Sequence, residues 1–473
     1  MLRFLNCHFG ILIYFLYLAC ELFLLWQGRS CGLFPEPPPG TDQLSMLQCA
    51  QGLADGVLPA APYRYSYAYT GYLAVLSMLT GGSPVGMRIG QALLCALIPV
   101  MIERTGRLML IGRNAARIAA LLYVFYAPAL LISLDFLRAA PLGLVFLCFL
   151  YALLRGCRRN APGWFAAAGI AAAGCVLGRE NFGPVIFLPL LFLLFPAVRR
   201  RISVKKAVGC YLAAAVAPVL AVMVFNAIRY DSFQPVPGNA GNVMKFYYGE
   251  STLRDLGQAV AAVGRTVPVQ LGNFLSSYEL PNSLSVYAHR EVLPFLKIFG
   301  VPFNFLIAAA CVGCFGFRRN RGVLLAALLV CGYAASLLFF TMFYRFRIPA
   351  VPLLALLAGA GIWTGYGWIR RRNFRALAAG CGFLLLFLGL TAVDPDSRRS
   401  FAERAAVSRL LIDSRRFSEA EAYLKKMKND GFEVRPGAKL LIRGLLENGE
   451  ERRAAENAVW FFPELQQRKP SGP

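Results

Sequence analysis

The chain has 473 residues, 57% of them hydrophobic and only 16% charged, with a mean hydropathy of +0.54. This exceeds the apolar content of an ordinary globular protein and points to a polytopic membrane protein. The net charge of +24 does not indicate a nucleic-acid partner, because the basic residues come in short clusters between apolar runs and not on a polar domain.

Residues 4 to 26 form the first apolar run, long enough to cross a bilayer, preceded by Arg3 and lacking a small-residue cleavage site. A retained first helix is predicted. The stretch 35–77 then breaks the pattern. Its Pro-rich entry, Pro35 to Pro39, restricts the backbone. Thr41 or Asp42 can cap a helix whose apolar positions are Leu44, Leu47, Ala50, Leu53 and Ala54. Asp42 therefore stands at the start of a short interfacial helix, followed after Gly56 by the aromatic cluster Tyr63, Tyr65, Tyr67, Tyr69 and Tyr72. Further apolar runs near 84–103, 115–133, 139–154, 164–177, 184–198, 207–227, 299–317, 322–343, 348–369 and 376–393 bring the expected spans to about eleven.

Basic clusters occupy every second connection: Arg104 to Arg117, Arg155 to Arg159, Arg199 to Lys206, Arg318 to Arg321, and Arg370 to Arg375. The positive-inside rule makes these cytoplasmic. The amino terminus is then inside, while the first loop, the long segment 228–298 and the tail 394–473 are outside. Acids give an independent check. Of the 25 Asp and Glu, 13 lie after residue 393, and of the remainder only Glu21 and Glu103 fall off the outer side.

Asp135 and Glu180 sit in very short connections, Leu134-Asp135-Phe136-Leu137-Arg138 and Gly178-Arg179-Glu180-Asn181, so their side chains belong at the membrane surface. A local ion pair, Asp135 with Arg138 or Arg179 with Glu180, accounts for them as well as a site role does. The segment 228–298 carries Gly238-Asn239-Ala240-Gly241-Asn242 and Tyr278-Glu279-Leu280-Pro281-Asn282 and is too long for a simple connection. Farther on, Arg345 and Arg347 flank Phe346 at the outer end of a span, where arginine is discouraged. Paired guanidinium hydrogen bonds suit a phosphate there, with head-group snorkelling as the plainer account. After Asp394 the chain turns polar and helical. Ser400 with Glu403 and Ser418 with Glu421 fit capping boxes, Gly431 and Gly449 fit helix ends, and Leu410, Leu411, Ala420 and Glu421 recur as Leu445, Leu446, Ala455 and Glu456. That offset is near the tetratricopeptide period and suggests two helix pairs serving as a packing or docking module.

With the loops placed, residues 5–393 resemble the C-type membrane glycosyltransferases that take sugars from polyprenyl-phosphate donors, especially bacterial relatives of protein mannosyltransferases and of lipid A aminoarabinose transferases. The likeness rests on Asp42 at the head of the first loop, the Ala50–Gly56 stretch leading to the Tyr cluster, Asp135, Arg179, Glu279 to Asn282, and Arg345 to Pro349. It implies an all-α polytopic bundle with the amino terminus inside, in the bacterial inner membrane, with an outward active site. Asp42 is implied as the base that activates the acceptor, with Asp135 as second catalytic acid and Arg345, Arg347 and Arg179 on the donor phosphate. Tyr63, Tyr65, Glu180, Glu279 and Asn282 would line the substrate cavity. Many relatives carry a second acid directly after the first, where this chain has Gln43, which leaves the need for a divalent metal open, and no other cofactor is implied. With only two His (His8, His289), zinc is not expected. The implied partners are a polyprenyl-phosphate sugar, a lipid, glycan or protein acceptor, membrane lipids, and a protein met through the tail. A lipid or lipid-linked sugar flippase and a noncatalytic assembly partner are the rival readings. Transport would call for polar residues at mid-membrane, and the spans are nearly free of charge.

Overall fold

The structure, a computed structural model, describes residues 2–30, 34, 37, 41–59, 66–195, 198, 202–233, 256–282, 284–340, 342–394 and 401–463. All regular elements among the described residues are helical. They run α1 (Leu2–Ser30), α2 (Asp42–Ala54), α3 (Tyr67–Thr80), α4 (Pro84–Cys95), α5 (Leu97–Leu108), α6 (Arg113–Val124) and α7 (Ala127–Ser133). Then come α8 (Ala139–Arg159), α9 (Pro162–Gly178), α10 (Leu188–Leu194), α11 (Val204–Tyr230), α12 (Leu256–Leu275), α13 (Val286–Val292), α14 (Phe303–Gly316) and α15 (Arg321–Leu337). The last are α16 (Val351–Arg370), α17 (Phe374–Thr391), α18 (Phe401–Asp413), α19 (Phe417–Asn429), α20 (Arg435–Glu447) and α21 (Glu451–Phe461).

Seven helical runs among the described residues are long and apolar enough to cross a membrane, and the bent pair α6–α7 makes an eighth. The bend of 64° falls just ahead of Pro128. Its ring would collide with the carbonyl of residue 124, and it offers no N–H to continue the ladder. The other three runs expected from the sequence fall on shorter apolar helices, Pro162–Gly178, Glu180–Leu193 and Arg321–Leu337.

The division of the described chain is into two units. The first comprises Met1–Leu22, Glu36–Leu280 and Phe299–Ala392. In it α14 and α16 meet over glycines: a methyl group on Gly313 would strike the Leu357 carbonyl, and one on Gly361 the Ala309 carbonyl. Small residues let the two backbones approach closely, which replaces the hydrophobic drive that lipid cannot supply. By contrast α17 buries none of its residues.

The first loop enters this unit through α2. Thr41, not Asp42, is the cap: it is extended, and its Oγ1 accepts the Leu44 N–H at 3.4 Å. Asp42 is the first helical residue, where a carboxylate meets the positive end of the helix dipole. Met46, Leu47 and Ala50 bury the inner face, and Gly56 (φ 77°) closes the end. Ser66 caps α3 by accepting from Tyr69 N–H at 3.1 Å and donates to the Leu177 carbonyl at 3.1 Å, tying the loop to the end of α9.

The second unit comprises Phe23–Pro35, Pro281–Ile298 and Val393–Pro473. Its helices α18 to α21 form successive antiparallel neighbours, with Gly431 (φ 82°) and Gly449 (φ 79°) at helix ends. Ser418 does not cap. Helix α19 already begins at Phe417, with Arg416 pairing to Glu419 across the first turn, and the Ser418 hydroxyl accepts from Arg453 at 3.0 Å instead. Ser400 lies outside the described residues. Helix α13 joins the tail helices through Ser285 Oγ, which donates to Glu403 at 3.0 Å, and through Arg416, which donates to the Val292 carbonyl at 2.7 Å.

Candidate active site

Asp42 and Arg345, 303 residues apart, meet in an ion pair with Nη2 to Oδ2 at 2.8 Å. The first turn of α2 presents Asp42; the short helical turn Tyr344–Arg347, which leads into α16, presents Arg345. The next residue of α2, Gln43, is buried and donates from Nε2 to Asp135 Oδ2 at 3.0 Å. Asp135 Oδ1 accepts the Phe136 N–H at 2.9 Å. The connection is fixed from behind by Gln91, whose amide donates to the Ser133 and Asp135 carbonyls at 2.7 Å each. Two consecutive residues of one helix thus engage Arg345 and Asp135. Burial pushes the Asp135 pKa up, and the Gln43 hydrogen bond, the Arg88 charge, the Phe136 N–H and Arg345 pull it partly back.

Arg179, where α9 ends, is buried with its guanidinium stacked 3.9 Å from the Phe346 ring centre and Nη1 donating to Tyr333 OH at 3.4 Å. Tyr333 in turn donates to the Phe346 carbonyl at 2.9 Å. The Arg345 guanidinium lies 5.3 Å from the same ring. Arg138 donates to the Gly178 carbonyl at 3.0 Å and shares its electrostatic surroundings with Glu180, Arg179, Arg345 and Asp42. Burial foremost pushes its pKa down to about 10. Glu180 is half-buried in the first position of the 3-10 turn Glu180–Phe182. The structure therefore brings Asp42, Asp135, Arg179, Glu180 and Arg345 together.

Arg347 goes elsewhere. It is 1% exposed and donates to the carbonyls of Asn273, Phe274, Ser276 and Tyr278 at 2.9–3.3 Å and to the Glu279 carboxylate. Glu279, itself buried, also accepts from Tyr126 OH at 2.8 Å. Residues two apart on a helical turn face away from each other, which is why Arg345 turns to Asp42 and Arg347 to residues 273–279. Asn282 is exposed and belongs to the second unit. Tyr63 and Tyr65 lie outside the described residues, as does the stretch 238–242.

Sequence reasoning missed three participants: Gln43, seen only as a departure from an acid; Arg138, seen only as an ion-pair partner; and Arg88. The last is buried inside the run Pro84–Leu108, donates from Nε to the Leu134 carbonyl at 3.2 Å and lies 4.5 Å from the Phe136 ring centre. A charge inside an apolar run was the signal available for it. For a divalent cation the donor set does not fit, because Asp42 carries Arg345 on its carboxylate and Gln43 offers an amide toward Asp135. Among the described residues no three His, Cys, Asp or Glu stand together as ligands.

Residues 69–225 match the family model described as dolichyl-phosphate-mannose-protein mannosyltransferase. No curated protein matches the chain. Among solved structures it is similar to ArnT from Cupriavidus metallidurans bound to undecaprenyl phosphate, with TM-score 0.48 and 16% identity over 97% of this chain and 81% of that one. It is also similar to the oligosaccharyltransferase AglB from Archaeoglobus fulgidus in complex with an inhibitory peptide and a dolichol-phosphate, with TM-score 0.44 and 13% identity over 89% of this chain and 60% of that one. The match to the mannosyltransferase family model spans residues 69–225, about a third of the chain, and holds Asp135, Arg138, Arg179 and Glu180 of the gathered groups.

Proposed function

We propose that the chain transfers a sugar from a polyprenyl-phosphate donor to an acceptor hydroxyl at the outer face of the membrane, with Asp42 as base. The observation that carries this reading is the pairing of Asp42 with Arg345 beside Arg138 and Arg179. A carboxylate and three guanidiniums stand together in connections that alternate with the basic, inward loops. The reaction is a single displacement. The acceptor oxygen gives its proton to the Asp42 carboxylate and bonds to the anomeric carbon. The bond from that carbon to the phosphate oxygen breaks, and its electron pair stays on the phosphate. Arginines make the phosphate a good leaving group by neutralising that charge. Arg345 serves both ends, since a phosphate that draws it away from Asp42 also leaves the carboxylate ready to take a proton. Asp135, held by Gln43, positions this assembly, and Arg347 and Glu279 hold the segment beneath it.

The test is incubation of the purified protein, in lipid, with candidate polyprenyl-phosphate sugars. Release of polyprenyl phosphate with a glycosylated acceptor is the expected result; movement of intact donor across the bilayer without consumption would replace the reading by transport.

Arg345→Ala should weaken donor binding by about 1.5–3 kcal/mol, roughly tenfold to a hundredfold in Kd, with the protein still inserted. Arg345→Lys should recover part of it, lacking the paired geometry. Equal donor affinity in parent and Ala variant would leave Arg345 as a partner of Asp42 alone.

A further inference from the structure

Two basic clusters far apart in sequence converge on one cavity. Arg158, at the end of α8, and Arg319 and Arg321, around the start of α15, line a cavity of about 460 Å³ whose remaining wall includes Leu108, Leu154, Phe192 and Val198. Among the described residues no acidic residue lines it, and all three arginines are exposed. The loop carrying Arg319 is fixed from within, since Asn320 donates to the Met109 carbonyl at 2.7 Å and accepts the N–H groups of Gly322 and Val323. Leu110, also in the cavity lining, is held at φ 62° and is 69% exposed, an unusual backbone for a leucine and an apolar group offered outward.

We propose that this cavity binds the phosphodiester head group of an anionic membrane phospholipid, with the guanidiniums on the phosphate and the leucine and phenylalanine wall along the upper acyl chain. A cluster that only obeyed the positive-inside rule would need arginines anywhere on that face; it would not need arginines from two loops around a shared apolar wall. A free phosphate would use the charge and leave the wall idle. The site lies at the helix ends that carry the basic clusters, away from Asp42 and Arg345, and is independent of the proposed transfer.

The experiment is native mass spectrometry of the full chain in an uncharged detergent, titrated with dioctanoyl phosphatidylglycerol, dioctanoyl phosphatidylcholine or inorganic phosphate. One phosphatidylglycerol per chain is expected to bind in preference to phosphatidylcholine. The double variant Arg158→Gln, Arg319→Gln should bind it roughly tenfold or more weakly. The control Arg371→Gln, Arg372→Gln removes as much charge from exposed positions that do not line the cavity, and should bind like the parent. Both arginines of the cavity pair are exposed, so the fold should survive, as an unchanged thermal midpoint would confirm. Equal loss in the control would reduce the effect to diffuse charge. Absence of a phosphatidylglycerol adduct, or displacement of the adduct by inorganic phosphate at comparable concentration, would overturn the proposal.

Discussion

Asp42→Asn should give a protein that inserts, binds donor and transfers sugar about 100-fold more slowly or worse. The structural cost is small. Thr41 holds the cap of α2 and is untouched. The lost dipole interaction is worth about 0.3–1 kcal/mol, and a partly exposed ion pair with Arg345 about 1 kcal/mol or less. Against that stands the loss of the proposed proton acceptor. Asp55→Asn is the control, because Asp55 is exposed beyond the last turn of α2, held there through its backbone N–H. Parental turnover in the Asp42 variant would move the base to Asp135. The pH profile of that variant then tests Asp135. A base works deprotonated, so activity falls as pH drops through its pKa, and the raised pKa of Asp135 would move that fall above the usual aspartate range.

Arg347→Ala should cost about 3–5 kcal/mol, a large share of the roughly 5–15 kcal/mol that holds a domain together. It strips one carboxylate and four carbonyls of a common donor and leaves Glu279 buried with Tyr126. The expected observation is a steep drop in thermal midpoint or loss of monodisperse protein. Arg347→Lys should fail to rescue, since three rotatable donors cannot serve five acceptors. The paired change Arg347→Met, Glu279→Leu should recover much of the stability by removing both charges together. If Arg347→Ala keeps the parental midpoint and loses only donor affinity, then Arg347 binds phosphate and residues 273–279 are held by other means.

Much of the framework was legible because membrane insertion writes it in long strokes. Each of the eleven expected apolar runs overlaps helical structure, though among the described residues only seven, or eight with the bent pair α6–α7, are long and apolar enough to cross a membrane. Asp42 at the head of α2 follows from Thr41 and the apolar spacing behind it. What the sequence could not convey was which way a side chain turns within a connection. Arg345 and Arg347 look equivalent in Tyr344-Arg345-Phe346-Arg347, yet one faces Asp42 and the other five acceptors from residues 273–279. Pairings such as Gln43 with Asp135, 92 residues apart, leave no local trace. Ser418 shows the converse failure, in which a capping pattern is satisfied on paper while Arg416 and Glu419 organise the turn.

The glycine contact between α14 and α16 has a mechanical consequence. Backbones that touch without intervening side chains cannot slide or rotate without collision, so the Gly313–Gly361 seam makes this pair a stiff post. The turn carrying Arg345 is mounted at the head of that post. A donor with a long hydrocarbon tail must come in sideways from the lipid, and compliance for its entry has to be found in other helices. Residues such as those of α17, with no buried side chain, can yield while Arg345 keeps its position.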